Sequence, residues 1–374
     1  MKPNDLPLFK PWTFIVYFAA SLLIAYLIAG NAPDFKDLAL GDTTKSVYGK
    51  FEGEQIFYGN PSEGEISLKK ARLRNLKYQL LWLGNSQLHA INQPGTNDLT
   101  APIILAMDQR PRGVEIQAMS FPNASLKEFY LAYLFQKRNH RIDILILPLF
   151  LDDTRESKVR SDIISIAKDS EINLALSKTA IGRQIVSRFL KDSSDSKSDK
   201  LSLQFRCEDK LTTALESTIN FQTMRQKASG QIEIWLYNLR NTLFGITAQT
   251  IRRIIPEIYA ENMQALREIL LDAAVNGTHV ILYIPPIRQD VTIPYDQKEY
   301  SRFKTEIKSL AIENSAYFID LDNIVHSRHW GTKQGTKLGV VAELDFMHFQ
   351  TEGHVVVAAA MKPFVESLTG GGKK

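Results

Sequence analysis

Short apolar runs alternate with longer periodic stretches through most of the chain. Five runs rich in Ile, Leu and Val are too short for free-standing helices and predict buried strands: 80–84 (LLWLG), 114–120 (VEIQAMS), 143–150 (DILILPLF), 279–286 (HVILYIPP) and 316–325 (AYFIDLDNIV). Helical spacing of apolar residues predicts helices near 125–139, 249–275, 296–314 and 350–367. Alternation of strands and helices predicts an α/β fold with an open parallel sheet covered on both faces.

One long region interrupts this alternation. Residues 152–248 contain no convincing strand, but helical patterning is present around 158–190. The polar stretch KDSSDSKSDK, 191–200, is typical of an exposed loop. We therefore predict a helical insertion over 152–248. It follows the carboxyl end of a strand, where open α/β sheets bind ligands. Three roles are therefore open for the insertion: a lid, a surface that binds a partner, or a purely structural part of the fold.

The amino-terminal region has the composition of a membrane span. No charged residue lies between Pro11 and Pro33, and Trp12 to Ala29 form an apolar run of 18 residues. At about 1.5 Å per residue such a helix is roughly 27 Å long, close to the hydrocarbon thickness of a bilayer. We predict a transmembrane anchor over 11–33. A cleaved signal peptide is the alternative, since small residues follow the run.

The anchor divides the rest of the chain. Residues 1–10 are predicted to form a cytoplasmic amino terminus, and 34–77 a connecting segment. No second apolar run is long enough to span a bilayer, so the body after the anchor is expected wholly on one side. Lysines on both sides of the span leave its orientation almost undecided from charge alone.

Composition excludes several kinds of function. The net charge of +4 arises from 45 basic and 41 acidic residues with no long basic run, so a nucleic-acid partner is not expected. Cys207 is the only cysteine, which excludes an intramolecular disulfide and a cysteine-rich zinc site. No phosphate-binding loop or dinucleotide fingerprint is present, and we expect neither a metal nor a cofactor.

A serine stands directly after the first predicted strand. Gly84 and Asn85 separate the strand from Ser86, and the glycine permits a tight turn that lifts the hydroxyl to the carboxyl edge of the sheet. A serine hydroxyl needs an imidazole to take its proton and a carboxylate to orient that imidazole. Ser86 is a candidate nucleophile, although strands also end in Gly, Asn and Ser for ordinary turn reasons.

The far end of the chain offers the two missing groups. The stretch ELDFMHFQTEGH places Asp345 three residues before His348. That spacing allows a loop to bring the carboxylate to one ring nitrogen while the other nitrogen faces a serine. The alternative is an aspartate that caps a helix beside a surface histidine.

These residues resemble a known group. GNSQ beside a strand, with DFMHFQTEGH near the carboxyl end, resembles the first and last blocks of the SGNH, or GDSL-like, hydrolase superfamily. The resemblance covers roughly 78–367 and leaves 368–374 as a tail. It implies a flavodoxin-like three-layer fold and acyl transfer through a serine ester. It makes Ser86 the nucleophile, His348 the general base and acid, and Asp345 the carboxylate that orients the imidazole.

The two middle blocks depart from the family pattern. The family has a glycine whose N–H helps hold the oxyanion where SFPNASLKEFY places Asn123 or Ala124. It has an asparagine where LPLFLDDTR places Asp152 and Asp153, and ionised carboxylates cannot donate to an oxyanion. The candidate oxyanion donors are therefore the backbone amides of Ser86 and Asn123, with Asn85 as a further candidate.

The predicted anchor points to one branch of this superfamily. An anchored serine–histidine domain resembles the D-alanyl transfer protein of teichoic acid modification and exopolysaccharide O-acetylation proteins. That resemblance implies a single-pass protein of the bacterial cytoplasmic membrane whose domain lies outside the cytoplasm. It also implies an envelope glycan substrate and a multi-span membrane O-acyltransferase as partner. The alternatives are a non-catalytic scaffold or glycan-binding module, and a plain secreted esterase or lipase.

Other polar residues follow the predicted strands. Arg288, after the fourth strand, and His329 and Trp330, after the fifth, are candidates for lining a substrate pocket; the alternative is an ordinary surface loop. His89 lies about one helical turn after Ser86, where it either approaches the site or lies on a helix surface.

Overall fold

The computed structural model describes residues 43–60, 76–190, 234–340 and 342–370, with the single residues 16, 17, 20, 21, 23, 24, 40, 64, 74 and 232. The chain divides into two compact units. The larger one, the α/β body, comprises 43–198, 248–334 and 341–374. The smaller one, the accessory unit, comprises 1–42, 199–247 and 335–340.

Strands and helices alternate along the α/β body. Its strands are β1 (Thr44–Ser46), β2 (Lys50–Phe51), β3 (Glu54–Gln55), β4 (Phe57–Tyr58), β5 (Tyr78–Gly84), β6 (Ala90–Asn92), β7 (Val114–Ser120), β8 (Ile144–Pro148), β9 (His279–Ile284), β10 (Tyr317–Asp320), β11 (Trp330–Gln334) and β12 (Ala342–Phe349). Its α-helices are α1 (Ser86–His89), α2 (Ala101–Gln109), α3 (Leu126–Asn139), α4 (Ser161–Ile164), α5 (Ser170–Ser177), α6 (Ala180–Ile185), α7 (Pro256–Asn276), α8 (Gln297–Glu313) and α9 (Thr351–Leu368).

The main sheet has six parallel strands in the order β10-β9-β8-β5-β7-β4. Apart from the two-residue strand β4 at its edge, these are the five strands predicted from the apolar runs, and the predicted parallel sheet is confirmed. Numbered along the chain, the five run in the order 2-1-3-4-5, which is the flavodoxin-like order. Strand β5, which leads to Ser86, therefore lies inside the sheet.

Helices cover both faces of this sheet. Leu81 and Leu83 of β5 pack with α3, α7 and α8, whereas Leu80 and Trp82 pack with α2 and α9. This division follows from the strand, because alternate side chains point to opposite faces. The four predicted helices are confirmed as α3, α7, α8 and α9. The nine-residue helix α2 was missed because it offers too few turns for a clear periodic pattern.

The predicted connecting segment contributes to the α/β body. β1 pairs antiparallel with β6, and β4 pairs in parallel with β7. The described part of 34–77 is therefore more than a linker. Strands of two or three residues are too short to produce a recognisable alternation in the sequence.

The predicted insertion is divided between the two units. Residues 152–198 belong to the α/β body, and Ile163, Ile172 and Ile181 of α4, α5 and α6 join the apolar cluster formed by α3 and α7. Residues 199–247 belong to the accessory unit. Within that unit Asn241 is buried and its Nδ2 donates to the carbonyl of Thr336 at 3.0 Å.

The predicted anchor over 11–33 lies, apart from six residues, outside the described residues. Among the residues that are described, none belongs to a helix long and apolar enough to cross a bilayer. The predicted cytoplasmic terminus, 1–10, and the predicted loop, 191–200, also lie outside the described residues.

Candidate active site

Ser86 stands where the central strand β5 turns into the short helix α1. Asn85 is the N-cap of that helix, and its Oδ1 accepts the backbone N–H of Gln87 at 3.1 Å. Gly84 is required at the turn, because a Cβ there would lie only 2.5 Å from Cδ2 of Leu88. The result is a serine at the carboxyl edge of the sheet that is 7% exposed.

Asp345 and His348 lie on β12, which forms an antiparallel hairpin with β11. The sequence-based placement of both residues on a loop is wrong. The Oδ1 atom of Asp345 accepts the backbone N–H groups of Met347 at 2.8 Å and of His348 at 3.1 Å. These local bonds bend the end of the strand, so residues three apart can meet although a regular strand alternates its side chains.

The three predicted residues form one hydrogen-bonded chain. Nδ1 of His348 lies 3.0 Å from Oδ2 of Asp345, and Nε2 of His348 lies 3.0 Å from Oγ of Ser86. An ionised carboxylate can only accept, so Nδ1 carries the proton and Nε2 is left to accept the serine proton. This is the arrangement that activates a serine as a nucleophile.

The carboxylate of this chain is buried and strongly held. Burial raises the pKa of Asp345, but the charge of His348 and the hydrogen bonds from His348 and Met347 outweigh it and lower the pKa to about 2. Asn92, which no sequence pattern marks as a site residue, adds a longer bond from Nδ2 to Oδ2 of Asp345 at 3.3 Å. Asp345 is therefore ionised at neutral pH, as an orienting carboxylate must be.

The side-chain amide of Asn85 is hydrogen-bonded to the carboxyl group of Asp153. Its Nδ2 lies 3.1 Å and 3.2 Å from the two oxygens of Asp153, which is 2% exposed. Burial raises the pKa of Asp153 well above its ordinary value. Asp152 is paired with Arg155 and Arg252. A role for the Asn85 amide as an oxyanion donor therefore has no support in the structure.

The second candidate backbone donor lies near the same edge of the sheet. Asn123 is in the turn between β7 and α3, with φ of 50° and an exposed side chain. Strand β7 pairs with β5 along its whole length, ending with Ser120 opposite Gly84. The Asn123 turn and the Ser86 turn thus follow the carboxyl ends of neighbouring strands.

The three candidate pocket residues have other partners. The Arg288 side chain is buried, with Nη1 donating to the carbonyl of Gly331 at 2.8 Å and Nε paired with Asp290 at 2.6 Å. Trp330 is 5% exposed, and its Nε1 donates to the carbonyl of Val325 at 3.1 Å. The alternative of an ordinary surface loop is wrong for Arg288 and Trp330, because both side chains are buried; their role in lining a pocket stays a prediction.

His329 remains partly exposed at the start of the β11 hairpin. Its backbone carbonyl accepts the N–H of Gln350 at 2.8 Å, and its Nε2 accepts from Arg328 at 3.1 Å. These contacts fix the junction that precedes α9. The role of His329 in lining a substrate pocket stays a prediction.

His89 is buried rather than on a helix surface. All four residues of α1 are buried, and Nδ1 of His89 lies 2.6 Å from Oγ of Ser120. The ring stacks on Tyr48 with centroids 5.1 Å apart. Burial lowers the pKa of His89 to about 3 and does the same for His354. Both imidazoles are neutral parts of the core.

We expect His89 to make the protein less stable in acid. Its pKa falls from 6.5 to about 3 on folding, so over that range the unfolded chain binds the extra proton. The free energy of unfolding then decreases by about 1.4 kcal/mol for each pH unit as the pH falls. His89→Gln keeps a hydrogen-bonding side chain but does not titrate, and should remove that contribution to the slope.

Denaturant unfolding of the full chain at a series of pH values measures this slope. His326→Gln, at an exposed histidine, is the matched control. An identical slope in the wild-type chain and in His89→Gln would contradict the expectation.

Within the described residues, no group of His, Cys, Asp or Glu could hold a metal ion.

No family model matches the chain, and no curated protein matches it in sequence. Solved structures resemble its fold distantly. An acetylxylan esterase from Geobacillus stearothermophilus is 10% identical with a TM-score of 0.39, covering 80% of this chain and 96% of its own. A GDSL-like lipase from Bacteroides thetaiotaomicron is 9% identical with a TM-score of 0.36, covering 81% and 98%.

A third structure, of a putative acylhydrolase from Bacteroides fragilis, is 11% identical with a TM-score of 0.35, covering 80% of this chain and 94% of its own. The functional conclusion depends on the geometry of the residues themselves.

Proposed function

We propose that the protein is a serine acyl-transfer enzyme, an esterase or O-acyltransferase that works through an acyl-serine intermediate. One observation carries the proposal: Ser86, His348 and Asp345 form a continuous hydrogen-bonded chain with both heavy-atom distances at 3.0 Å. A non-catalytic scaffold has no need of this contact between residues 262 positions apart, and the structure gives that alternative no support.

The first half of the proposed reaction acylates the enzyme. Nε2 of His348 takes the hydroxyl proton as Oγ of Ser86 attacks the carbonyl carbon of an ester. The carbonyl electron pair moves to oxygen, and it returns as the bond to the leaving alcohol breaks. The imidazolium gives its proton to that alcohol. Asp345 stays ionised throughout and stabilises the imidazolium.

The second half reverses these roles. Water or a sugar hydroxyl loses its proton to His348 and attacks the acyl-serine carbonyl, and the proton returns to Oγ of Ser86. Water as acceptor releases a carboxylic acid and makes an esterase. A sugar hydroxyl forms a new ester and makes a transferase. The two outcomes differ only in which hydroxyl reaches the acyl-enzyme.

Backbone amides are the proposed oxyanion donors. The first N–H groups of a helix have no partner within the helix, so the Ser86 N–H at the start of α1 is suited to hold the negative oxygen. The Asn123 N–H, in the turn after the neighbouring strand, is the second proposed donor. A backbone donor does not depend on the side chain, so the absence of a family glycine at Asn123 is compatible with this role.

The proposed setting is the outer side of a bacterial cytoplasmic membrane. Its support is the uncharged stretch 11–33, long enough to anchor the chain in a bilayer. An anchored acyl-transfer domain has envelope polysaccharide within reach, so we propose this as the substrate. A multi-span membrane O-acyltransferase is the proposed partner that would supply or accept the acyl group.

The full chain, purified in mild detergent, tests the proposed chemistry with an activated aryl acetate. We expect a burst of released phenol equal to the concentration of folded protein, followed by slower turnover as the acyl-serine is hydrolysed. Mass spectrometry of protein quenched during the burst should place an acetyl group on Ser86. Absence of both the burst and the acetyl-serine would contradict the proposal.

The choice between esterase and transferase is tested by adding an acceptor. An acetyl-free envelope polysaccharide should accelerate breakdown of the acetyl-enzyme and gain acetyl esters if a sugar hydroxyl is the acceptor. Unchanged breakdown with free acetate as the only product would support an esterase. Heat-denatured protein controls for uncatalysed acetylation of the glycan.

A further inference from the structure

Gln87, the residue after the proposed nucleophile, contacts the strand that carries the proposed base. Its Nε2 donates to the carbonyl of Met347 at 2.6 Å and to the carbonyl of Pro286 at 2.8 Å. Met347 directly precedes His348. One carboxamide therefore joins the helix that begins with Ser86 to the strand end that carries His348, and to the segment that follows β9.

Other hydrogen bonds hold the same strand end from neighbouring segments: Nδ2 of Asn92 on β6 donates to Asp345 at 3.3 Å, and the N–H of Arg288 donates to the carbonyl of Phe346 at 3.3 Å. The turn at Asp345 shapes the strand end locally, through Oδ1 and the N–H groups of Met347 and His348. Those bonds set the His348 ring against Asp345, but they do not involve α1. The contact from Gln87 comes from α1 itself, at the residue next to Ser86, and reaches the residue next to His348.

The Gln87 side chain is itself held rigidly. It is 5% exposed, so its amide protons have little access to solvent and depend on the two carbonyls. Its backbone N–H is fixed by the Asn85 side chain at 3.1 Å, and the Asn85 amide is fixed in turn by Asp153. A series of buried hydrogen bonds thus runs from Asp153, after β8, through Asn85 and Gln87 to the strand end that carries His348.

We infer that Gln87 is a positioning residue that holds Ser86 and His348 within hydrogen-bond reach. This inference rests on the proposed function. Proton transfer requires the Ser86–His348 distance to stay near 3 Å, and a displacement of about 1 Å costs on the order of 10²-fold in rate. The Gln87 amide bonds two backbone carbonyls, whereas Oγ of Ser86 bonds Nε2 of His348, so the effect of Gln87 is expected on the rate of acylation and not on substrate binding.

The test uses Gln87→Met, which keeps the length of the side chain but removes both donors. The full chain in detergent is treated with a fluorophosphonate, and the saturation constant and the limiting rate of Ser86 labelling are measured separately. We expect the limiting rate per folded protein to fall on the order of 10²-fold with the saturation constant nearly unchanged. Gln87→Asn keeps the amide on a shorter side chain, and its limiting labelling rate should lie between those of the wild-type chain and Gln87→Met.

Gln79→Met is the matched control. Gln79 is 7% exposed and lies on β5 at the end away from Ser86, where its Nε2 donates to the carbonyl of Leu76. Gln79→Met likewise removes a buried, hydrogen-bonded side-chain amide, but at a position remote from Ser86. We expect Gln79→Met to label at the wild-type rate.

A second readout separates positioning from loss of structure. We expect the Nδ1 proton shared by His348 and Asp345 to give a low-field NMR signal, and that bond does not pass through Gln87. The inference predicts that Gln87→Met retains the signal while Ser86 labelling slows. Loss of the signal together with labelling would instead show that the strand end had unfolded, and would overturn a positioning role.

The outcomes also distinguish this inference from the function on which it rests. A wild-type chain that folds but does not label at Ser86 overturns both. A wild-type chain that labels, with Gln87→Met labelling as fast as Gln79→Met, overturns only the role of Gln87.

Discussion

Ser86→Ala is expected to abolish turnover of ester substrates by the full chain. Removing the hydroxyl leaves His348 with nothing to deprotonate except water, and no acyl-enzyme can form. Loss of the nucleophile from a comparable arrangement lowers kcat by about 10⁶-fold. The fold should tolerate the change, because it deletes a single oxygen from a side chain that is already small.

Steady-state hydrolysis of an aryl acetate, with the burst recorded separately, measures this effect. His348→Ala should have a loss of similar size, and the double variant Ser86→Ala/His348→Ala should be no worse than either single variant, because the two residues act as a unit. A Ser86→Ala chain that retains a burst would contradict the role of Ser86. Losses that multiply in the double variant would contradict a shared step.

Asp345→Asn is expected to lower kcat by about 10⁴-fold with little change in KM. The amide nitrogen can donate to Nδ1 of His348, which moves the imidazole proton to Nε2, where it can no longer accept from Ser86. The substitution also removes the negative charge that stabilises the imidazolium. The expected loss of activity therefore has two causes: His348 is held in the wrong tautomer, and its imidazolium form lacks a stabilising negative charge.

Asp345→Asn is informative because the side chain keeps its size and still accepts through Oδ1 from Met347 and His348. The strand end should stay folded. Asn92→Ala is the comparison that keeps the carboxylate; it removes an Nδ2 that donates to Oδ2 of Asp345 at 3.3 Å, to Oγ1 of Thr44 at 3.0 Å and to the carbonyl of Thr332 at 2.8 Å. A kcat for Asp345→Asn close to that of the wild-type chain would show that His348 does not depend on this carboxylate.

The sheet and the proposed nucleophile could be predicted because they depend on local patterns. A buried parallel strand is usually a nearly continuous apolar run, so β5 and β8 stand out in the sequence, while β7 is recognised from apolar residues that alternate with Glu115 and Gln117. The hairpin of β11 and β12 does not stand out, because β12 is only partly buried and its mixed sequence, AELDFMHF, has no regular alternation.

The surroundings of the site depend on contacts between distant parts of the chain. Gln87 is an ordinary polar residue in the sequence, and only the approach of Met347 gives it a role. His89 was expected either near the site or on a helix surface, and the burial of α1 excludes the helix surface. Trp330 follows a strand as expected, yet its ring packs against Phe349 with centroids 5.4 Å apart.

The most direct test of the account is to treat the full chain with a serine-reactive fluorophosphonate and map the modified peptide by mass spectrometry. We predict a single modified serine, Ser86, and no modification in Ser86→Ala or His348→Ala, since a serine without its base is not a nucleophile. Labelling at Ser86 that persists in a folded His348→Ala variant, or an unlabelled wild-type chain, would contradict the central claim that Ser86 is activated by His348.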